Sequence, residues 1–126
     1  MQHAHAVVWL DHHTASIHTF GAGDAQTRRI KAHHHSTAQH NSDVRAVHEF
    51  FGEVCDALAA EKEVLVTGSH TALADFKHYV VKHRDALEPR IAGWEVVDHP
   101  TDGQLVAFAR DFFVRYDNLK GTRPLR

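Results

Sequence analysis

The residues from Ala4 to Leu10 form an apolar run that predicts a buried strand, and this strand constrains the fold more than any other segment. Asp11-His12-His13 ends the run as a turn, and alternating side chains from Thr14 to Phe20 predict a second strand. A glycine-containing turn then leads into a more polar third strand over about Ala25 to Ala32. Strands joined by such short turns predict an antiparallel meander, so the domain must be built around a sheet.

The first helix is predicted to follow a polar loop that runs from His33 to Asn41. Ser42 or Asp43 is the expected N-cap, because either side chain can accept a hydrogen bond from the backbone N–H groups of the first turn. Apolar residues then recur at three- and four-residue spacing, which predicts a helix of about four to five turns lying on the sheet. The predicted buried stripe consists of Val44, Val47, Phe51, Val54, Cys55 and Leu58.

Strands and helices alternate in the second half of the chain. The predicted strands cover Glu63 to Thr67 and Trp94 to Val97. Between them, a helix should begin after the Gly68-Ser69-His70 turn and end near Pro89. The buried face of this helix is predicted to consist of Leu73, Phe76 and Val80.

A capping box introduces the third helix: Thr101 would cap it, and Gln104 would reach back to the Thr101 backbone N–H. We expect the domain to span residues 1–113 and to be followed by a basic, mobile tail over residues 114–126, because Gly121 and Pro124 argue against a longer helix. The predicted buried face of the third helix consists of Leu105, Phe108, Ala109 and Phe112.

The element order β-β-β-α-β-α-β-α restricts the topology strongly. Crossovers between parallel strands are right-handed, so this order predicts an α/β domain with a mixed five-stranded sheet, spatial order 3-2-1-4-5, and helices on both faces. This is the three-layer arrangement of the ribonuclease H-like class. Strands one, three, four and five then point the same way and end at one edge of the sheet, where ligands bind in open α/β sheets.

Composition excludes several classes of partner and environment. The 14 Lys and Arg residues against 16 Asp and Glu residues give a formal charge of −2, so any nucleic-acid contact must be local. The single cysteine, Cys55, cannot form an internal disulfide, and no apolar run approaches the roughly 18 residues that span a bilayer. Because the sequence does not start with a basic leader, we expect the chain to be cytoplasmic and not to bind membranes. The 14 histidines make it histidine-rich and its charge sensitive to pH.

Three segments together, His5 to Phe20, Val66 to Lys77 and Val97 to Phe108, resemble the bacterial proteins labelled translational machinery protein. That family is similar to the middle domain of eukaryotic and archaeal class 1 release factors and to the release-factor-like and host-attachment families. The similarity covers about Ala4 to Phe113. It implies the fold predicted above and a link to translation.

The resemblance does not extend to the release-factor catalytic motif. True release factors carry a Gly-Gly-Gln tripeptide between the third strand and the first helix, where it promotes hydrolysis of peptidyl-tRNA. Here the corresponding loop is histidine-rich, and Gln39 is flanked by Ala38 and His40 with no glycine pair to let the backbone approach a substrate. We therefore do not assign catalysis to Gln39. Nothing in this sequence resembles the codon-reading or partner-binding domains of release factors.

Histidines and carboxylates gather at the predicted carboxyl edge of the sheet, which makes a transition-metal site an alternative function. Neutral imidazole and carboxylate suit zinc, nickel or copper, either in a metal-binding protein or in a metal-dependent hydrolase. Equally, these side chains can be solvated loop residues, with Asp11 and Asp98 capping turns. His3 and His5 would share a face at the opposite edge, where metal could bind adventitiously. The candidate ligands at the carboxyl edge are Asp11, His12, His33, His35, His70 and His99.

Two other chemistries find little support. Two-metal phosphodiester hydrolysis needs an acid within the fourth strand, and Val64-Leu65-Val66-Thr67 offers none, so Glu49 and Glu53 are interpreted as a solvated helix face. Ser69-His70 lies outside a G-x-S-x-G turn and predicts no nucleophilic triad.

Basic residues form two modest clusters, one on the third strand and one in the tail. Both can contact phosphates, although charges on an edge strand also protect it against aggregation. We expect a binding module that contacts RNA, either tRNA or the ribosome, rather than an enzyme; a homo-oligomer that uses the third strand or the tail is a further possibility. The candidate RNA-binding residues are Arg28, Arg29, Lys31, Arg115 and Lys120.

Overall fold

The computed structural model describes residues 5–20, 25–33 and 40–120, and for residues 25, 40–43 and 118–120 it describes the backbone alone. Five strands, three α-helices and one short 3₁₀ helix follow one another in these ranges. The elements are β1 His5–Leu10, β2 Thr14–Phe20, β3 Ala25–Lys31, α1 His40–Leu58, β4 Glu63–Gly68, α2 His70–His83, the 3₁₀ helix Glu88–Arg90, β5 Ile91–Val96 and α3 Asp102–Lys120.

The strands form one sheet in the order β3-β2-β1-β4-β5, which confirms the predicted topology and the ribonuclease H-like α/β class. β1 pairs antiparallel with β2, which pairs antiparallel with β3. β4 is parallel to β1 on one side and to β5 on the other. The strands β1, β3, β4 and β5 thus end at the same edge, called here the carboxyl edge; they begin at the amino edge.

Helices cover both faces of the sheet and divide the interior into two cores. On one face, Val8 and Leu10 of β1 belong to a core that includes Phe51 of α1 and Phe76 of α2. On the other face, Val7 and Trp9 of β1 belong to a core completed by α3 and Leu65. β1 is therefore buried on both sides, as its apolar sequence predicts. The residues that α3 contributes are Leu105, Ala109 and Phe113, with Phe108, Phe112 and Tyr116 half-buried around them.

The beginning of α1 differs from the prediction. The helix starts at His40, so Ser42 and Asp43 lie in its first turn instead of capping it. The buried stripe is also rotated: Val44 is 57% exposed, whereas Ala46 and Phe50 are buried.

The middle elements shift by a few residues. α2 ends at His83, before the predicted limit near Pro89, which lies in the 3₁₀ helix. β5 starts at Ile91, three residues earlier than predicted, because Ile91 pairs with Val64 of β4. Cys55 is buried as the sequence indicates, and burial raises the pKa of its thiol to about 12.

The third helix has the predicted start and a different end. The Thr101 backbone N–H donates to Gln104 Oε1 at 3.0 Å, and the Gln104 N–H donates to Thr101 Oγ1 at 3.1 Å, which completes the capping box. α3 continues to Lys120, so residues 114–120 are helical and not part of a tail. The Tyr116 ring, stacked on Phe112, extends the apolar face of the helix into these residues. Residues 121–126, including Gly121 and Pro124, lie outside the described residues.

Within the described ranges, no helix combines the length and the apolar character needed to cross a bilayer.

Gly68 permits the close approach of β4 to β1 at the carboxyl edge. A Cβ atom at this position would lie 2.3 Å from the backbone oxygen of Leu10. That same oxygen accepts a hydrogen bond from the Ser69 N–H at 3.2 Å, so the backbone cannot retreat without losing the bond.

We expect Gly68→Ala to lower the free energy of unfolding by about 1–3 kcal/mol, as other overpacking substitutions do. The measurement is urea unfolding followed by circular dichroism. Gly103→Ala is the matched control: a Cβ there meets nothing within 4 Å, and alanine is the better helix former. Equal stability of Gly68→Ala and the wild type would contradict the close approach of the two strands.

Candidate functional site

Asp11, at the end of β1, organises the turn into β2. Its Oδ1 accepts hydrogen bonds from the backbone N–H groups of His13 at 2.8 Å and Thr14 at 2.7 Å. Burial alone would raise the pKa of Asp11, but these hydrogen bonds to the carboxylate outweigh it and lower the pKa. From the sequence, Asp11 could either cap this turn or bind a metal. In the structure its Oδ1 atom caps the turn.

The other candidate ligands at the carboxyl edge face different partners. His12 Nε2 lies 2.8 Å from Asp75 Oδ2 of α2, and His33 Nε2 lies 3.6 Å from Glu53 Oε2 of α1. The His99 ring packs against Trp9 with 5.0 Å between ring centroids. His70 is exposed at the start of α2, and His35 lies outside the described residues.

The carboxyl edge thus does not assemble a ligand set in the part of the chain that the structure describes. Across those ranges, three ligand atoms come within 4.8 Å of one another at a single place, formed by His5, Glu63 and Asp117. These residues lie at the amino edge. Sequence reasoning reached His5 alone: Glu63 was recognisable from a parallel register between β1 and β4, whereas Asp117 was assigned to a tail.

A groove between α1 and α2 opens beside His12. It encloses about 310 Å³ and has an apolar part formed by Val44, Val47 and Phe51. Its polar lining consists of Asp75 and the imidazoles of His12, His48 and His78. The groove can hold a flat or apolar group beside imidazole donors and acceptors. Sequence reasoning missed His48 and His78, because both lie within helices where their spacing shows no pattern.

The basic residues of β3 differ in how much charge they offer to a ligand. Arg29 forms a two-point ion pair with Asp102 at the start of α3 and also donates to Ser16 Oγ at 2.9 Å. Arg28 and Lys31 are exposed, and neither forms an ion pair with any residue that the structure describes. The free positive charge on β3 therefore comes from these two side chains, while Arg29 joins α3 to the sheet.

The second predicted basic cluster lies elsewhere. Arg115 pairs with Asp111 one helical turn away, at 3.1 Å. Arg115 is thirteen residues along α3 from Asp102, or about 20 Å at 1.5 Å per residue. The fold therefore separates Arg115 from the Arg29–Asp102 ion pair. Lys120 is the last residue of α3, and its side chain is outside the described set.

His18 of β2 is a buried titratable group that sequence reasoning missed; its alternating strand position gave no sign of burial. It is 2% exposed, with Nδ1 3.0 Å from Thr27 Oγ1 and Nε2 3.4 Å from Asp102 Oδ1. Burial lowers the pKa of His18, an effect that Asp102 opposes and Arg29 reinforces. Hydrogen bonding to Arg29 in turn lowers the pKa of Asp102.

The lowered pKa of His18 makes stability depend on pH. The unfolded chain takes up a proton on this histidine as the pH falls through about 6.5, whereas the folded protein resists protonation until lower pH. Stability from His18 is thus present above pH 6.5 and is lost below it, with a slope of at most about 1.4 kcal/mol per pH unit.

We expect His18→Asn to flatten the decline in unfolding free energy between pH 7.5 and about 5, because the amide can still reach Thr27 but does not titrate. Urea unfolding at a series of pH values measures this slope. The same substitution at the exposed His78 is the control and should leave the slope close to that of the wild type. An unchanged slope in His18→Asn would show that His18 does not resist protonation.

Comparison with known proteins identifies the fold of this chain. No family model and no curated protein matches the sequence. Among solved structures, Pelota from Archaeoglobus fulgidus matches 96% of the chain, with a TM-score of 0.63 and 15% sequence identity. An archaeal translation termination factor, aRF1, matches 92% of the chain, with a TM-score of 0.59 and 15% sequence identity. Pelota from Thermoplasma acidophilum matches 85% with a TM-score of 0.61. The chain spans 34%, 39% and 32% of those proteins respectively, so it has the fold of a release-factor-like domain about one third their length.

Proposed function

We propose that this chain is a translation-associated binding module of the translational machinery protein type. It contacts RNA, on the ribosome or as tRNA, through the outer edge of β3, and it does not hydrolyse peptidyl-tRNA. The fold supports the link to translation, because similar structures include an archaeal translation termination factor and that similarity extends over nearly the whole chain. Since the chain spans about a third of those proteins, their activities enter here only as part of the proposal.

The observation that carries the RNA contact is the pair of exposed cations on β3 that form no ion pair within the described residues. Arg28 and Lys31 are exposed on a strand that forms one border of the sheet. Their positions differ by three, so they project from opposite faces of that strand. A phosphate backbone running along the border can therefore meet a cation from either face, and His33, whose side chain is 73% exposed, continues this border. Contacts of this kind release counterions and weaken steeply with salt.

We expect the protein to bind tRNA or co-sediment with ribosomes at about 50 mM salt and to dissociate as salt rises toward about 200 mM. The double variant Arg28→Glu/Lys31→Glu should weaken binding at least tenfold and reduce the salt dependence by about two phosphate contacts. Fluorescence anisotropy with labelled tRNA and ribosome sedimentation measure both effects.

The matched control for this experiment is Lys62→Glu, which reverses one exposed charge in the turn before β4, away from β3. It should bind nearly as well as the wild type. Arg115→Glu should have a smaller effect than either change on β3, since Asp111 already offsets that charge. Absence of wild-type binding at about 50 mM salt, or an equal loss in Lys62→Glu, would overturn the proposed contact.

The lack of hydrolase activity is proposed from the sequence between β3 and α1. This stretch has no glycine pair, and Gln39 stands between Ala38 and His40. Residues 34–39 lie outside the described residues, so the argument depends on residue types alone: without glycine, close backbone approach to an ester bond is hindered.

We expect no release of labelled peptide when the protein is added to ribosomes carrying peptidyl-tRNA. An authentic release factor serves as the positive control in the same assay. Release that disappears in the Gln39→Ala variant would show that this glutamine is catalytic and would contradict this part of the proposal.

A further inference from the structure

The amino edge of the sheet carries a cluster of one imidazole and two carboxylates that belongs to no site described above. His5 and Glu63 are the first residues of the neighbouring parallel strands β1 and β4 and are partners in register. Their side chains meet with 2.9 Å between Nε2 and Oε1. Asp117, from the last turns of α3, places Oδ2 3.7 Å from the same Nε2 atom.

The packing of α3 fixes this geometry. Phe113 is buried, and its ring lies 4.2 Å from the His5 ring, centroid to centroid. Asp117 follows Phe113 by one helical turn, so both side chains project from the same side of α3 toward the start of β1. Two strands and one helix thus each supply one potential ligand, and none comes from a loop.

We propose that His5, Glu63 and Asp117 form a binding site for a divalent transition metal, with zinc as the best fit. Both carboxylates approach the same nitrogen, so one imidazole nitrogen and two carboxylate oxygens lie within 4.8 Å of one another. His5 Nε2 is shielded from solvent and makes no hydrogen bond of acceptable geometry with any described residue. A metal ion at the centre of the three atoms would give that nitrogen a partner and would be bound by both carboxylates as well.

The distances agree with tetrahedral coordination. Bonds of about 2.0–2.2 Å at tetrahedral angles place two ligand atoms about 3.3–3.6 Å apart. The separations of 2.9 and 3.7 Å around His5 Nε2 lie on either side of that range, and the third separation, between the two carboxylate oxygens, is at most 4.8 Å.

The donor set favours zinc over the hard cations. Calcium and magnesium prefer all-oxygen sites, whereas an imidazole nitrogen is a ligand of zinc and its neighbours in the first transition series, which also accept carboxylate oxygens. The side chains of His5, Glu63 and Asp117 are 27%, 21% and 34% exposed, so the cluster lies near the protein surface although the Nε2 atom itself is shielded. Bound metal would tie the end of α3 to the start of β1 and β4.

The test uses the full-length protein without an affinity tag, because a histidine tag would bind the same metals. We expect added Zn²⁺ to bind with one tight equivalent in calorimetry and to raise the melting temperature. Glu63→Gln and Asp117→Asn keep the side-chain size but remove the charged ligand, and each should weaken the tight equivalent about tenfold or more.

Asp75→Asn is the matched control, because it alters the comparable histidine–carboxylate contact between His12 and Asp75 at the other end of β1. It should retain the tight equivalent. If zinc binds elsewhere in this histidine-rich chain, including at its first residues, its affinity would not change in Glu63→Gln or Asp117→Asn.

A measurement on the unmodified protein keeps the proposal testable if either variant fails to fold. One equivalent of Co²⁺ should produce the intense visible absorption of tetrahedral cobalt and broaden the NMR signals of His5, Glu63 and Phe113 first. Zinc binding of equal strength in wild type, Glu63→Gln and Asp117→Asn, or broadening that begins at His12 or His33, would overturn the assignment.

Discussion

The burial of β1 on both faces is the constraint on which the rest of this structure depends. Val8 and Leu10 contribute to the core beneath α1 and α2, while Val7 and Trp9 contribute to the core beneath α3. A strand with apolar side chains on both sides must lie between two helical layers, and its flanking strands then pair with it from either side. Both sets of candidate ligands follow from this placement, because polar residues are confined to the two ends of the strand.

Four of the described histidines, His5, His12, His18 and His33, lie beside a carboxylate. His12 with Asp75, His33 with Glu53 and His18 with Asp102 each join two different elements. Exposed pairs of this kind contribute little to stability. The buried His18 differs, because its environment disfavours the proton and it touches the same aspartate that holds Arg29 and begins α3. A histidine-rich composition therefore does not by itself indicate a metal site. What indicates one is the arrangement of imidazoles and carboxylates around a common point.

Strand order and the two-layered core could be predicted from the sequence, since hydrophobic periodicity and right-handed crossovers determine them. The end of α3 could not: the breakers Gly121 and Pro124 suggested an early stop, but Phe112, Phe113 and Tyr116 sustain the apolar face to the last turns. That error hid Asp117, and with it the amino-edge cluster. The availability of Arg29 for RNA was overestimated for a similar reason. Its ion-pair partner Asp102 is 73 residues away, and no local sequence pattern predicts the pair. Contacts between distant segments are what single-sequence reasoning lacks.

The two proposed sites lie far enough apart to act independently. Lys31 ends β3 at the carboxyl edge, whereas His5 begins β1 at the amino edge. His5 pairs with Phe20, which pairs with Ala25, so His5 and Ala25 lie at the same level of the sheet. Six residues of strand separate Lys31 from this level, or about 20 Å at 3.3 Å per residue. Arg28 lies three residues, or about 10 Å, along the strand from the same level, and two strand spacings of about 4.8 Å also separate β3 from β1. Energetic effects of changes separated by more than about 10 Å, without shared partners, usually add. Direct coupling would have to pass through α3, which contacts Arg29 at its first residue and His5 near its last turns. A metal that fixes the end of this helix would therefore influence β3 only by displacing α3 as a rigid body.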